Sequence, residues 1–143
     1  MYRTRKSTLK YKPDKQRDSL KSGQKPCPFC KLDKSEVVKT TKYNLVTINS
    51  FGYQYWEFMD VTDHLMIIPK RHVDSMSDLS KEEKLDLINL MADYEAKGYN
   101  VYSREKESNM KSVVHQHTHL IKTKNNKARF VLYFRKPYFL VKK

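Results

Sequence analysis

The sequence predicts an α+β domain: a mainly antiparallel β-sheet with one long helix and short helical segments. Three observations carry this. Short β-branched and apolar stretches follow one another as hairpins. Residues 80–97 form one capped stretch with apolar residues at helical spacing. His115, His117 and His119 occupy alternate positions of a single extended stretch. The chain has 143 residues, enough for one core.

Residues 1–25 are polar and lysine-rich, and read as a flexible tail. The domain is expected over residues 26–135, with residues 136–143 as a basic tail or short strand. Cys27-Pro28-Phe29-Cys30 opens the domain. Two thiols at this spacing in a tight turn can chelate one zinc ion. A redox pair and two idle thiols are the other readings, although the strand-then-helix setting of a redox pair is not visible here.

Residues 36–42 and 44–49 read as a hairpin turning around Lys42-Tyr43. The aromatic stretch 51–58 holds Phe51, Tyr53, Tyr55, Trp56 and Phe58. It suits a loop that stacks on a ligand base, or equally core packing or a dimer contact; for Trp56 packing is the simpler reading. Residues 64–72 form a short apolar strand with His64 and His72 at its ends.

Ser80-Lys81-Glu82-Glu83 is a capping box. After it Leu85, Ile88, Met91, Ala92 and Glu95 follow helical spacing, and Leu87, Leu90 and Tyr94 widen the apolar face. Gly98 suits the helix C′ position. Residues 99–105 read as a strand, and Asn125-Asn126 as a turn. An alternating aromatic strand over 129–135 and a short one over 138–141 complete the chain. Their aromatic and basic residues resemble a single-strand-binding surface, but a sheet edge with a core-facing aromatic side explains them more simply.

The net charge is +13, and 31% of residues are charged. The excess sits at the two ends: residues 1–25 carry +7, residues 122–143 carry +8 and the middle carries −2. Basic ends suit an anionic partner such as RNA, DNA or a polyphosphate; a solvated tail explains the first of them equally well. No apolar run is long enough to span a membrane, and no secretory signal follows the basic N-terminus. The two cysteines share one short unit, which fits reduced thiols in the cytoplasm.

Ser112-Val113-Val114-His115-Gln116-His117-Thr118-His119-Leu120-Ile121 carries the chemistry. In an extended chain His115, His117 and His119 line one face, roughly 7 Å apart. Three imidazoles on one face suit a metal clamp or a phosphate site in which one ring attacks phosphorus and others donate hydrogen bonds.

This stretch resembles the signature of the histidine triad (HIT) family of nucleotide hydrolases and transferases. Residues 63–72 are similar to the family's Gly-His-x-Leu-Val-Ile-Pro-Lys-x-His segment, with Asp63 in place of the glycine. The resemblance implies a HIT-like fold and a nucleotide or nucleotidylated substrate. It implies His117 as the nucleophile, assisted by His119, His64 and Ser112. In the zinc-containing branch, Cys27, Cys30, His72 and His115 would close a structural zinc site. Family members are commonly homodimers, so a homodimer is expected.

The chain also departs from the family. Arg104 falls where the family has an asparagine, and Met110-Lys111 replaces its Gly-Gln pair. Ser112, His119, Arg104 and Lys111 are therefore the expected phosphate contacts, for a substrate more anionic than a nucleoside phosphoramidate. A zinc-stabilised nucleic-acid-binding module without turnover is the alternative. A catalytic metal on His115, His117 and His119 is a third reading.

Overall fold

The computed structural model describes residues 27–127, without the side chains of 125–127. The expected tails, the domain limit at 135 and the strands at 129–135 and 138–141 lie outside these residues. The described chain forms six strands and one α-helix. They are β1 (Val37–Thr40), β2 (Asn44–Ile48), β3 (Tyr55–Trp56), β4 (Met59–Pro69), α1 (Lys81–Glu95), β5 (Asn100–Ser103) and β6 (Thr118–Lys127). Short 3-10 turns lie at Pro28–Lys31, Lys34–Glu36 and Met76–Asp78.

The sheet is antiparallel throughout, in the order β1-β2-β4-β6-β5, with β3 paired to the start of β4. The hairpin around Lys42-Tyr43 forms as expected. β3 and β4 are joined through Glu57 and Phe58, at φ 50° and 64°. Positive φ at both residues is what a type I′ hairpin turn requires, and its twist matches the strands.

The pleat decides which face does what. Val46, Leu65, Ile67 and Leu120 alternate onto one face and pack with Leu87, Leu90 and Tyr94 of α1 to form the core. Their neighbours in sequence, Thr47, Met66 and His119, are paired across β2, β4 and β6 on the opposite face. The helix therefore backs the sheet, and the triad strand presents its imidazole to the other side.

The helix start is as predicted. Ser80 Oγ accepts from the Glu83 N–H, and the Glu83 carboxylate accepts from the Ser80 N–H. Asp86 ties the helix to the first hairpin, accepting from Thr41 Oγ1, Asn44 Nδ2 and the Tyr43 N–H. The helix runs to Glu95, and Gly98, at φ 83°, closes it in the C′ role expected of it, its N–H donating to the Glu95 carbonyl. There the Tyr99 N–H donates to the Tyr94 carbonyl.

Three expectations need correction. The buried helix stripe is Glu83, Leu87, Leu90 and Tyr94, while Leu85 and Ile88 are 62% and 55% exposed. Both sets have helical spacing, and periodicity alone does not say which one meets the sheet. The triad stretch is not extended throughout: residues 113–115 bend, and β6 begins at Thr118. Finally, Asn125-Asn126 does not turn. β6 runs through both residues, and Met59 pairs with Lys127; the ladder with the long β4 outweighs the turn preference of asparagine.

Candidate active site and metal centre

The histidines divide into two groups. The 3-10 turn at Pro28–Lys31 brings Cys27 and Cys30 to the end of β4, where His72 and His115 meet them. Cys30 Sγ lies 3.3 Å from His72 Nδ1, and His115 Nδ1 lies 3.5 Å from Cys27 Sγ and 3.6 Å from Cys30 Sγ. The four ligand atoms all fall within 4.8 Å of one another. A tetrahedral zinc with ordinary bond lengths places sulfur and nitrogen about 3.5 Å apart, so the spacing fits.

The surroundings fit as well. The far nitrogen of His115 is 2.9 Å from the Pro69 carbonyl oxygen. His72 Nε2 is 3.6 Å from Asp74 Oδ1. Such outer contacts orient metal-ligating rings. Burial, then the neighbouring Cys27, pushes the Cys30 thiol up to about 11. Burial, reinforced by His72, pushes the His115 imidazole down to about 4. A Cys30 thiol that resists ionisation, the Cys27 sulfur beside it and a neutral His115 imidazole form a donor set that a divalent cation would stabilise.

His117 and His119 stand outside that cluster. A single ion on His115, His117 and His119 finds no such grouping among the described residues; His115 faces the sulfurs instead. His117 Nδ1 donates to the His115 carbonyl at 2.8 Å, so its basic nitrogen is Nε2. Burial holds this imidazole down, at about 4, and the charges of Lys111 and Arg104 add to the effect, against the raising influence of the His115 carbonyl. The ring is 5% exposed. The Phe29 ring meets it edge-on at 5.1 Å.

His64 sits behind His119. The Tyr53 N–H is a fixed donor, 3.0 Å from His64 Nδ1. Neutral His64 therefore carries its proton on Nε2, 3.0 Å from His119 Nδ1. His119 accepts there, and its own proton is placed on Nε2. Asn49 Nδ2 also approaches His64 Nε2, at 3.1 Å. Tyr53 lies against both rings, 4.5 Å from His64 and 5.7 Å from His119.

A cleft of about 160 Å³ runs from these histidines to the start of β1. His117, His119 and Ser112 line one part; Phe29, Leu32, Ile48 and Phe51 give it apolar walls; Glu36, Asn49 and Ser50 also line it. Phe51 thus meets the cleft, as one reading of the aromatic stretch had it. Trp56 stacks on Tyr53 at 6.0 Å and touches Tyr102 at 5.0 Å, which is the packing role expected of it.

The two expected cationic contacts separate. Arg104 lies over the Tyr102 ring at 5.2 Å, and Tyr102 pairs with His119 across β5 and β6. Lys111 is turned inward and 3% exposed. Its Nζ donates to the Asp74 carbonyl at 2.7 Å and to Gln116 Oε1 at 3.3 Å. It braces the bend before β6 and is not among the cleft-lining residues. Sequence reasoning missed Phe29, Glu36 and Asn49 as lining groups. No periodicity marks them, because they come from two 3-10 turns and the residue after β2.

Residues 58–126 match the family model of the HIT domain, a span that includes His64, His72, His115, His117 and His119. No curated protein matches the chain. Solved structures share the fold. A HIT family hydrolase from Clostridium thermocellum is 18% identical, with a TM-score of 0.54, over 75% of this chain and 98% of that one. The diadenosine triphosphate hydrolase of Plasmodium falciparum, solved with cyclomarin A, is 24% identical, with a TM-score of 0.53, over 69% and 68%. A HIT-like protein involved in cell-cycle regulation from Bartonella henselae is 15% identical, with a TM-score of 0.51, over 76% and 79%. The fold is HIT-like. No helix among the described residues is long and apolar enough to cross a membrane.

Proposed function

We propose that the chain is a histidine triad enzyme that cleaves nucleotides at the α-phosphate through a nucleotidyl-histidine intermediate. The observation that carries this is the hydrogen bond from His117 Nδ1 to the His115 carbonyl. It fixes the tautomer and leaves the Nε2 lone pair for phosphorus. Burial keeps the ring neutral at pH 7, the form that attacks.

In the first step Nε2 forms a bond to phosphorus and the bond to the leaving group breaks. The leaving group departs hydrogen-bonded to the His119 Nε2–H and takes its proton from solvent. In the second step water attacks phosphorus, the P–N bond breaks, and the nucleoside monophosphate departs. The water proton is released to solvent. Ser112 offers its hydroxyl to the phosphate oxygens.

Cys27, Cys30, His72 and His115 would hold a zinc ion, which would supply a structural cross-link with no open position for substrate. It would fix the turn that carries Phe29 against His117. A cytoplasmic homodimer and a nucleic-acid role for the basic ends belong to the same proposal.

The test is incubation with a panel of nucleotide substrates and intact-mass analysis of the quenched protein. A nucleotidyl adduct that disappears in His117→Asn supports the reading. Nucleotide binding without adduct or turnover supports the binding-module alternative.

A further inference from the structure

Glu36 and Ser50 line the cleft with the catalytic histidines but take no part in the chemistry above. Ser50 Oγ donates to Glu36 Oε1 at 2.6 Å. Their place follows from the register. Val37 pairs with Thr47, Thr47 with Met66, and Met66 with His119. Glu36, next to Val37, therefore lies three strand spacings from His119, about 14 Å along the sheet. Side chains project inward from both ends. What is left is a length that one nucleotide can bridge.

The charges orient that nucleotide. A carboxylate repels phosphate, whereas His119 and Ser112 offer it donors. The phosphate belongs at the histidine end and the base at the Glu36 end, between the apolar walls of Leu32, Ile48 and Phe51. There the base meets acceptors. The carboxylate oxygens accept only, and Ser50 has its one proton engaged with Glu36. Asn49 is turned away, its Oδ1 holding the Phe51 N–H and its Nδ2 facing His64.

We propose that Glu36, held by Ser50, is the base-specificity residue of this cleft and selects guanine. Resting on the nucleotide reading above, the inference names its substrate class. An acceptor pair matches an edge with two adjacent donors, and guanine offers N1–H and the 2-amino group. Adenine places an acceptor, N1, beside its amino group, so one position of the pair faces repulsion. Hypoxanthine keeps N1–H and lacks the 2-amino group.

Isothermal titration of the full-length protein with GMP, IMP, AMP and UMP tests this without any variant. GMP is expected to bind tightest, IMP about tenfold more weakly for one lost charge-assisted hydrogen bond, and AMP more weakly still. Glu36→Gln, shown to melt like wild type, should bring GMP to within about threefold of AMP, because its amide presents a donor. Equal affinities for the four nucleotides overturn the guanine inference while leaving the nucleotide cleft in place. So does a guanine preference that Glu36→Gln does not change. Failure of all four to bind overturns the nucleotide reading itself, and the inference with it.

Discussion

His115 Nε2 lies 2.9 Å from the Pro69 carbonyl oxygen. The last residue of β4 thereby holds the first imidazole of the triad with Nδ1 toward Cys27 and Cys30. His115 is fully buried, and the Pro69 carbonyl fixes its far nitrogen from the sheet side. Cys30→Ser and His115→Ala should each lose stoichiometric zinc by elemental analysis. Because metal binding is coupled to folding, each should also melt at least ~10 °C lower. Zinc retained in both variants would place the ion elsewhere.

The His64–His119 contact makes a kinetic prediction. His64 contributes an orientation and not a bond to substrate, since the Tyr53 N–H sets its tautomer and its Nε2–H meets His119. His64→Ala should lower kcat about 10- to 100-fold with KM little changed, a modest share of the usual general acid–base effect. His64→Gln, which can restore a donor to His119, should recover part of it. A KM effect without a kcat effect would assign His64 to binding.

The acid limb of stability should depend on Glu83. Its carboxylate accepts from Arg71 Nε and Nη2 and from the Ser80 N–H. The Arg71 guanidinium, with that backbone donor, holds the carboxyl at about 2, below its ordinary 4.5. A depressed folded-state value gives stability that is present above pH 4.5 and is lost as pH falls toward 2. Glu83→Gln should cost about 1 kcal/mol at pH 6, the usual worth of a helix cap. The gap to wild type in urea melts should close between pH 4.5 and 2. A gap that stays constant with pH would mean the carboxylate charge contributes nothing.

Some of this was legible in the sequence because local chemistry decided it. Ser80 and Glu83 form a cap wherever a helix follows. The Cys27, Cys30, His72 and His115 cluster was reached through family resemblance, since Cys27 and His115 are 88 positions apart. What stayed hidden was decided by tertiary competition. Leu85 and Ile88 have the same spacing as Leu87 and Leu90, and only contact with the sheet separates them. Glu36 reaches the cleft through a register across three strand pairs, which no local pattern encodes. Lys111, in the place of the family's Gly-Gln pair before Ser112, was expected to meet phosphate, yet the Asp74 carbonyl and Gln116 Oε1 accept from it and it is buried.

Lys111 and Arg104 should therefore separate under mutation. Burial lowers the Lys111 ammonium from its ordinary value, yet the group sits between two acceptors. Removing it leaves buried oxygens without a donor, which costs about 1–3 kcal/mol. Lys111→Ala should thus lower the melting temperature by several degrees, with equal effects on mono- and polyphosphate substrates. Arg104 lies over Tyr102, which neighbours His119 across the sheet, and its charge acts on His117. Arg104→Ala should leave melting nearly unchanged and lower kcat/KM more for a dinucleoside polyphosphate than for a nucleoside phosphoramidate, by about tenfold for a partly screened charge. The ratio of the two substrates, measured for both variants, decides the matter: an unchanged ratio in Arg104→Ala removes the case for an unusually anionic substrate.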